Sequence, residues 1–252
     1  MKYSIKTNPG KRTENQDFTE SFYNEENVIL SVLCDGLGGH QAGDIASEMA
    51  VSQIGNAWEK TNFGPADTYL VQKWLNEKIN EENIRIYEAS NTYADLEGMG
   101  TTLVASVVLE SIILFANIGD SRAYVFRNNQ LELVTDDHSF VSELQRRGEI
   151  SDEEAMTHYN RNALTRSLGV NSPVDVDFFR IQKNTVDIVL LNSDGVSNTL
   201  TNEEMIEILA KNNTLDEKAD ELIDTAVMKE ASDNVTVNII QVRENLKIEA
   251  GD

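Results

Sequence analysis

Short apolar runs alternate along the chain with longer segments in which apolar residues recur every three or four positions. The runs 28–34, 101–109, 112–118, 123–126, 186–191 and 235–242 predict strands. The segments 43–58, 67–90, 139–147, 202–210 and 215–229 predict helices. In the second of these, Leu70, Val71, Trp74, Leu75 and Ile79 fall on one face of a 3.6-residue period.

The links decide the type of sheet. Between 101–109 and 112–118 stand only Glu110 and Ser111, and residues 119–122 separate the second run from 123–126. A parallel neighbour needs a crossover of about a dozen residues or more, so these strands are antiparallel hairpins. The helices come in an early and a late block. That order predicts an α+β sandwich rather than alternating βαβ units. The charge-rich stretch 136–166 reads as a flap-like insertion with helices of its own, inside a single domain over 1–245, and 246–252 reads as a polar C-terminal tail.

Charge narrows the function. Lys and Arg number 21 against 43 Asp and Glu, a net charge of −22 over 252 residues. Nucleic-acid binding rests on Lys and Arg neutralising phosphates, so that class is excluded. Hydrophobic residues at 40%, with only 3 Pro, exclude a disordered acidic chain. A single cysteine, Cys34, excludes an internal disulfide, and its apolar surroundings predict a small buried thiol. No run approaches the roughly 18 apolar residues of a membrane span, and residues 1–9 lack the apolar core of a signal peptide. The expected compartment is the cytoplasm.

The candidate chemistry lies in where certain acids fall. Asp35 follows the run 28–34, Asp120 follows 112–119, Asp194 follows 187–193, and Asp233 immediately precedes 235–242. Any one of them reads as an ordinary turn aspartate. As a set at strand ends they are expensive, because buried carboxylates without a counter-charge repel one another, and only Arg122 is near them in sequence. Hard oxygen ligands of this kind suit Mg or Mn.

Other chemistries fit less well. Cys34 lacks the arginine six positions on that a cysteine phosphatase loop requires. The glycine run 36–39 lies between a strand and a helix but lacks a Walker lysine. The tract Asp175-Val176-Asp177-Phe178-Phe179 imitates an Asp-x-Asp nucleophile but has no hydrophobic strand before it, and reads as a surface connection. No Gly-x-Ser-x-Gly elbow is present. Of the histidines His40, His138 and His158, only His40 stands in the glycine loop, five residues after Asp35; the others read as structural.

Six segments together resemble the metal-dependent protein phosphatases of the PPM, or type 2C, class. They are Arg12-Thr13-Glu14-Asn15-Gln16-Asp17, the run from Cys34 to Gly43, Met99-Gly100-Thr101-Thr102, Asn117-Ile118-Gly119-Asp120-Ser121-Arg122, Asn192-Ser193-Asp194-Gly195 and Ser232-Asp233-Asn234-Val235-Thr236. The likeness is to the phosphatases that oppose membrane-anchored serine/threonine kinases in Gram-positive bacteria. The resemblance implies a four-layer α-β-β-α sandwich, two antiparallel sheets flanked by helix pairs. It implies two Mn or Mg ions, bridged by Asp35. The Gly36 carbonyl would complete one ion, Asp194 and Asp233 would hold the other, and Asp17 would act as an outer ligand. Asp120, with Asp194, resembles the ligands of a third, weaker ion, and Arg12 the phosphate-binding arginine. His40 is the candidate proton donor to the leaving oxygen. Two departures stand out: His158-Tyr159-Asn160-Arg161-Asn162 replaces the frequent His-Pro-x-Arg-Asn of the flap, and Gln16 stands where many members carry Glu.

The implied reaction is attack of a metal-bridging hydroxide on phosphoserine or phosphothreonine in proteins. The expected partners are phosphoproteins and a cognate serine/threonine kinase, and the expected state is a monomer. The alternatives are a non-catalytic sensor or binding protein on the same fold, and an acidic metal-buffering protein.

Overall fold

The structure, a computed structural model, describes residues 1–38 and 42–243. The predicted tail at 246–252 lies outside the described residues. In chain order the elements are β1 (Lys2–Asn8), β2 (Asp17–Tyr23), β3 (Ile29–Leu37), α1 (Ala42–Trp58), α2 (Thr68–Thr92), β4 (Gly100–Thr101), β5 (Leu103–Val108), β6 (Ile112–Ile118), β7 (Arg122–Arg127) and β8 (Gln130–Leu133). There follow α3 (Phe140–Arg146), α4 (Asp152–Thr157), β9 (Asp177–Gln182), β10 (Ile188–Asn192), α5 (Asp194–Ser197), α6 (Asn202–Ala210), α7 (Leu215–Met228) and β11 (Val235–Gln241).

The strands form two sheets, ordered β1-β11-β10-β7-β8 and β2-β3-β5-β6-β9, with β4 paired to β3. Every pairing is antiparallel, as the short links require. Alternation along the strands builds three cores. Leu30, Val32 and Cys34 of β3 face α1 and α2, where Ile54, Trp58, Leu75 and Ile79 meet them. Tyr124, Leu190, Val237 and Ile239 face α6 and α7 through Met205, Ile208 and Leu222. Ile29, Leu33, Val104, Phe115, Val125, Val189 and Ile240 fill the space between the sheets. The result is the expected α-β-β-α sandwich.

Four strands lie outside the apolar runs: β1, β2, β8 and β9. The tract 175–179, expected as a surface connection, instead leads into β9, an edge strand whose Phe179 and Ile181 pack on the inter-sheet core. The apolar stripe of α2 is narrower than predicted. Val71, Leu75, Ile79 and Ile86 are buried, Leu70 is exposed, and Trp74 packs edge-on against Phe63. Cys34 is buried, and burial pushes its thiol pKa up.

Register carries distant residues to one edge of the sandwich. Asn8 of β1 pairs with Val235 of β11, which brings the loop after β1 beside Asp233. Asp17 pairs directly with Asp35. Asn192 pairs with Val237 on one side and Arg122 on the other, so Asp194 and Asp120 emerge at the same end. Leu103 pairs with Ile118, which sets Thr102 beside the turn that carries Asp120.

Candidate active site

At that edge lies a cleft of about 540 Å³ lined by Arg12, Asp35, Gly36, Asp120, Asp194 and Asp233, among others. Six of the residues singled out in the sequence thus meet in one place. Asp17 stands behind them, 7% exposed. His40 lies outside the described residues.

Each of these acids is held by backbone or side-chain contacts, several of them from residues distant in sequence. The main chain of Asp35 is held from both sides: its N–H donates to Thr102 Oγ1 (2.9 Å), and its carbonyl accepts from Thr102 N–H (2.9 Å) and Thr101 Oγ1 (2.9 Å). Gly36 N–H donates to the Gln16 carbonyl (3.0 Å). A Cβ at Gly36 would lie 2.1 Å from the Gly43 carbonyl oxygen, so this strand end and the start of α1 approach closely only because the residue is glycine. Asp17 Oδ2 accepts from Ser193 Oγ (2.7 Å). Asp194 opens α5, and its Oδ2 accepts from Asn198 Nδ2 (3.0 Å). Asp233 Oδ1 accepts from Asn234 N–H (2.9 Å), and its Oδ2 pairs with Arg12 Nη2 at 2.8 Å. Asn234 in turn anchors the loop that carries Arg12, accepting from Gln16 N–H and donating to the carbonyls of Pro9 and Glu14.

The electrostatics are those of crowded acids. Burial pushes Asp17 up to about 7, against the hydrogen bonds from Ser193 and Thr236, with Asp194 and Asp233 adding to the rise. Burial, then the charges of Asp194 and Asp137, push Asp120 up to about 7. Burial and Asp233 push Asp194 up to about 6. Asp35 is raised well above the carboxylate range by burial, then by Asp17, Asp194, Asp120 and Asp233.

This donor set fits hard divalent cations. It is all oxygen, and two of its buried oxygens, Asp17 Oδ1 and Asp194 Oδ1, have no hydrogen-bond partner among the described residues. The set forms an open basin rather than a closed cage: among the described residues no three acidic, His or Cys side chains close on one point.

Some residues that shape the site were visible in the sequence only as members of a motif. Thr102, Ser193 and Asn234 make the bonds that hold Asp35, Asp17 and the Arg12 loop. Their signal is adjacency, since each sits beside a candidate acid or in a strand end. Of the remaining histidines, His158 accepts from Asn160 N–H (3.1 Å) and stacks on Tyr159. His138 is buried below the cleft.

Comparison with known proteins agrees with this geometry. The family profile described as Protein phosphatase 2C matches residues 8–231. "Serine/threonine phosphatase stp" of Listeria monocytogenes is 43% identical over 242 residues, covering 96% of this chain and 96% of that protein. The crystal structure of serine/threonine phosphatase Stp1 from Staphylococcus aureus superposes with a TM-score of 0.91 at 37% identity, covering 96% of this chain and 95% of that one. The catalytic domain of the phosphatase PstP, solved in complex with 2 manganese ions, gives a TM-score of 0.79 at 30% identity, covering 94% of this chain and 96% of that one. The matches span nearly the whole chain, and this chain belongs to the protein phosphatase 2C family of metal-dependent protein phosphatases.

Proposed function

We propose that this chain hydrolyses phosphoserine and phosphothreonine in proteins by direct attack of a hydroxide shared between two divalent ions, reversing the action of a cellular serine/threonine kinase. The observation that carries this reading is the convergence of Asp35, Asp120, Asp194 and Asp233 on one cleft, with orphaned buried oxygens on Asp17 and Asp194. Manganese or magnesium supplies there the positive charge the carboxylates lack and makes bound water nucleophilic at neutral pH. In this reading Asp35 would serve both ions, the Gly36 carbonyl one of them, and Asp194 and Asp233 the other. Asp17 supports the pair from behind, and Asp120 with Asp194 holds a third, weaker ion.

The other residues do the positioning. Arg12 lies on the cleft wall against Asp233 and offers a planar fork to phosphate oxygens. Asn162 and Leu164 bring the 136–166 segment to the mouth of the cleft, where a peptide carrying the phosphate enters. Cys34 is buried, with its thiol pKa raised, and takes no part.

The test is hydrolysis of a phosphothreonine peptide by purified protein with manganese and with excess EDTA. Manganese-dependent phosphate release, abolished by EDTA and by Asp194→Asn, is the expected result. Binding of manganese with no release from any phosphopeptide would favour a sensor on the same fold.

A further inference from the structure

Asp120 sits on the turn between β6 and β7, and the residue that grips this turn lies outside the cleft. Gly119 has φ +104°, and a Cβ there would lie 2.6 Å from Thr102 Cγ2, so the turn is tight and suited to glycine. His138 holds the Gly119 peptide on both of its sides. Gly119 N–H donates to His138 Nδ1 (3.0 Å), and His138 N–H donates to the Gly119 carbonyl (2.9 Å). Because Nδ1 accepts, the neutral ring carries its proton on Nε2, which donates to Asp177 Oδ2 at 3.0 Å. Asp177 Oδ1 takes a second donor, Arg166 Nη1, at 2.7 Å, and the same nitrogen reaches the Asp175 carbonyl at 3.1 Å. The 3.2 Å approach of Arg166 to Nε2 is therefore a meeting of two donors that share one carboxylate.

The same joint holds the neck of the 136–166 segment. Thr165 N–H donates to the His138 carbonyl (2.9 Å), and Phe140 N–H donates to the Ala163 carbonyl (2.8 Å). Ser139 bridges Leu164, a residue of the cleft wall. Asn117 Nδ2 donates to the Asp136 carbonyl (2.9 Å) and ties the first neck strand to β6. One residue, 2% exposed, thus links the Asp120 turn and the first residue of β9 through its ring, and the two sides of the neck through its backbone.

We propose that His138 is a positioning residue that locks the Asp120 turn and the neck of the 136–166 segment into one unit, so that the metal-side carboxylate and the cleft-lining Asn162 and Leu164 keep a common position. The inference rests on the reading of Asp120 as a metal ligand for its effect on metal binding, though not for the lock itself. Imidazole suits the task because it accepts on one nitrogen while donating on the other. Asparagine reproduces the acceptor near Gly119, and glutamine reproduces the donor toward Asp177.

The test measures amide hydrogen exchange and calorimetric manganese binding in the full chain for His138→Gln, His138→Asn, Asp177→Asn and Asp120→Asn. His138→Gln is expected to speed exchange in 117–121 and 162–166 together by about tenfold, as loss of a buried hydrogen bond allows, with β3 and β11 unchanged. It is also expected to weaken the manganese site that Asp120→Asn removes. His138→Asn, which keeps the acceptor, is expected to leave 117–121 protected. Should His138→Gln fail to fold, Asp177→Asn leaves one acceptor oxygen for the two donors His138 and Arg166 and is expected to loosen the same two segments. Faster exchange in only one segment, or equally throughout both sheets, would overturn the proposal. Unchanged manganese binding in Asp120→Asn would overturn the metal reading of Asp120 alone, leaving the exchange data to judge His138.

Discussion

Between the sheets, Val104, Phe115, Val125 and Val189 mark an apolar half, whereas Asp17, Thr19, Ser21, Ser31, Ser106 and Asn238 gather in a polar half. In the first half Val104, Phe115, Val125 and Val189 pack with no polar partner to satisfy. In the second, Asn238 Nδ2 donates to Thr19 Oγ1 and Ser21 Oγ (3.1 Å each), Ser21 Oγ lies 2.7 Å from Ser31 Oγ, and Ser193 Oγ holds Asp17. The strand pattern is the same in both halves. The apolar half gains stability from burial, while the polar half exchanges some of that gain for fixed directions. Its hydrogen bonds run to the edge where Asp17, Asp35 and Asp233 stand. Stability and chemistry therefore occupy neighbouring parts of one layer, and substitutions should separate them.

The largest expected contrast sets Asp194→Asn against Phe115→Ala. Asp194→Asn should lower kcat on a phosphothreonine peptide by about a thousandfold or more, the scale at which a central electrostatic stabiliser is lost. The metal-free protein should melt no lower than the parent, because a repelling charge is gone. Phe115→Ala should cost about 3–5 kcal/mol in denaturant unfolding while the activity per folded molecule survives. Loss of both properties in either variant would erase the distinction between the halves.

Next in size is the pH response of the metal-free protein. Asp17 and Asp120 titrate at about 7 and Asp194 at about 6, above the usual carboxylate value near 4. The folded state binds these protons more tightly than the unfolded chain. The stabilisation is complete below about pH 4 and is lost as pH rises through 6–7. The metal-free protein should melt higher at pH 5.5 than at pH 8, and Asp194→Asn should shrink that difference. The substitution separates the cluster from the general relief of a −22 charge. Manganese should narrow the gap too, since the ions require the ionised carboxylates. An equal gap in the parent and in Asp194→Asn would place its origin elsewhere.

The smallest effect concerns Arg12, an exposed residue paired with Asp233. Arg12→Ala should raise KM by about tenfold with a lesser change in kcat, and Arg12→Lys should recover little, because the planar fork is lost. A fall in kcat alone would assign Arg12 to metal positioning rather than to the phosphate.

The pattern of runs revealed the inner strands and the antiparallel hairpins because their burial makes them continuously apolar. It concealed β2, whose inter-sheet face carries Asp17, Thr19 and Ser21, and it concealed β1, β8 and β9 because edge strands need little apolar surface. The candidate acids were legible from their places at strand ends. The residues that hold them were less so, since Ser193 meets Asp17 across 176 positions and Asp177 looked like surface chain. Those contacts arise from register, which a run of residues does not display.

The most direct test of the central claim, that Asp35 joins two ions in one centre, is a calorimetric manganese titration of the parent and of Asp35→Asn. The account predicts two tight sites in the parent, with both weakened together by the single substitution. Retention of both sites at parental affinity in Asp35→Asn would contradict it.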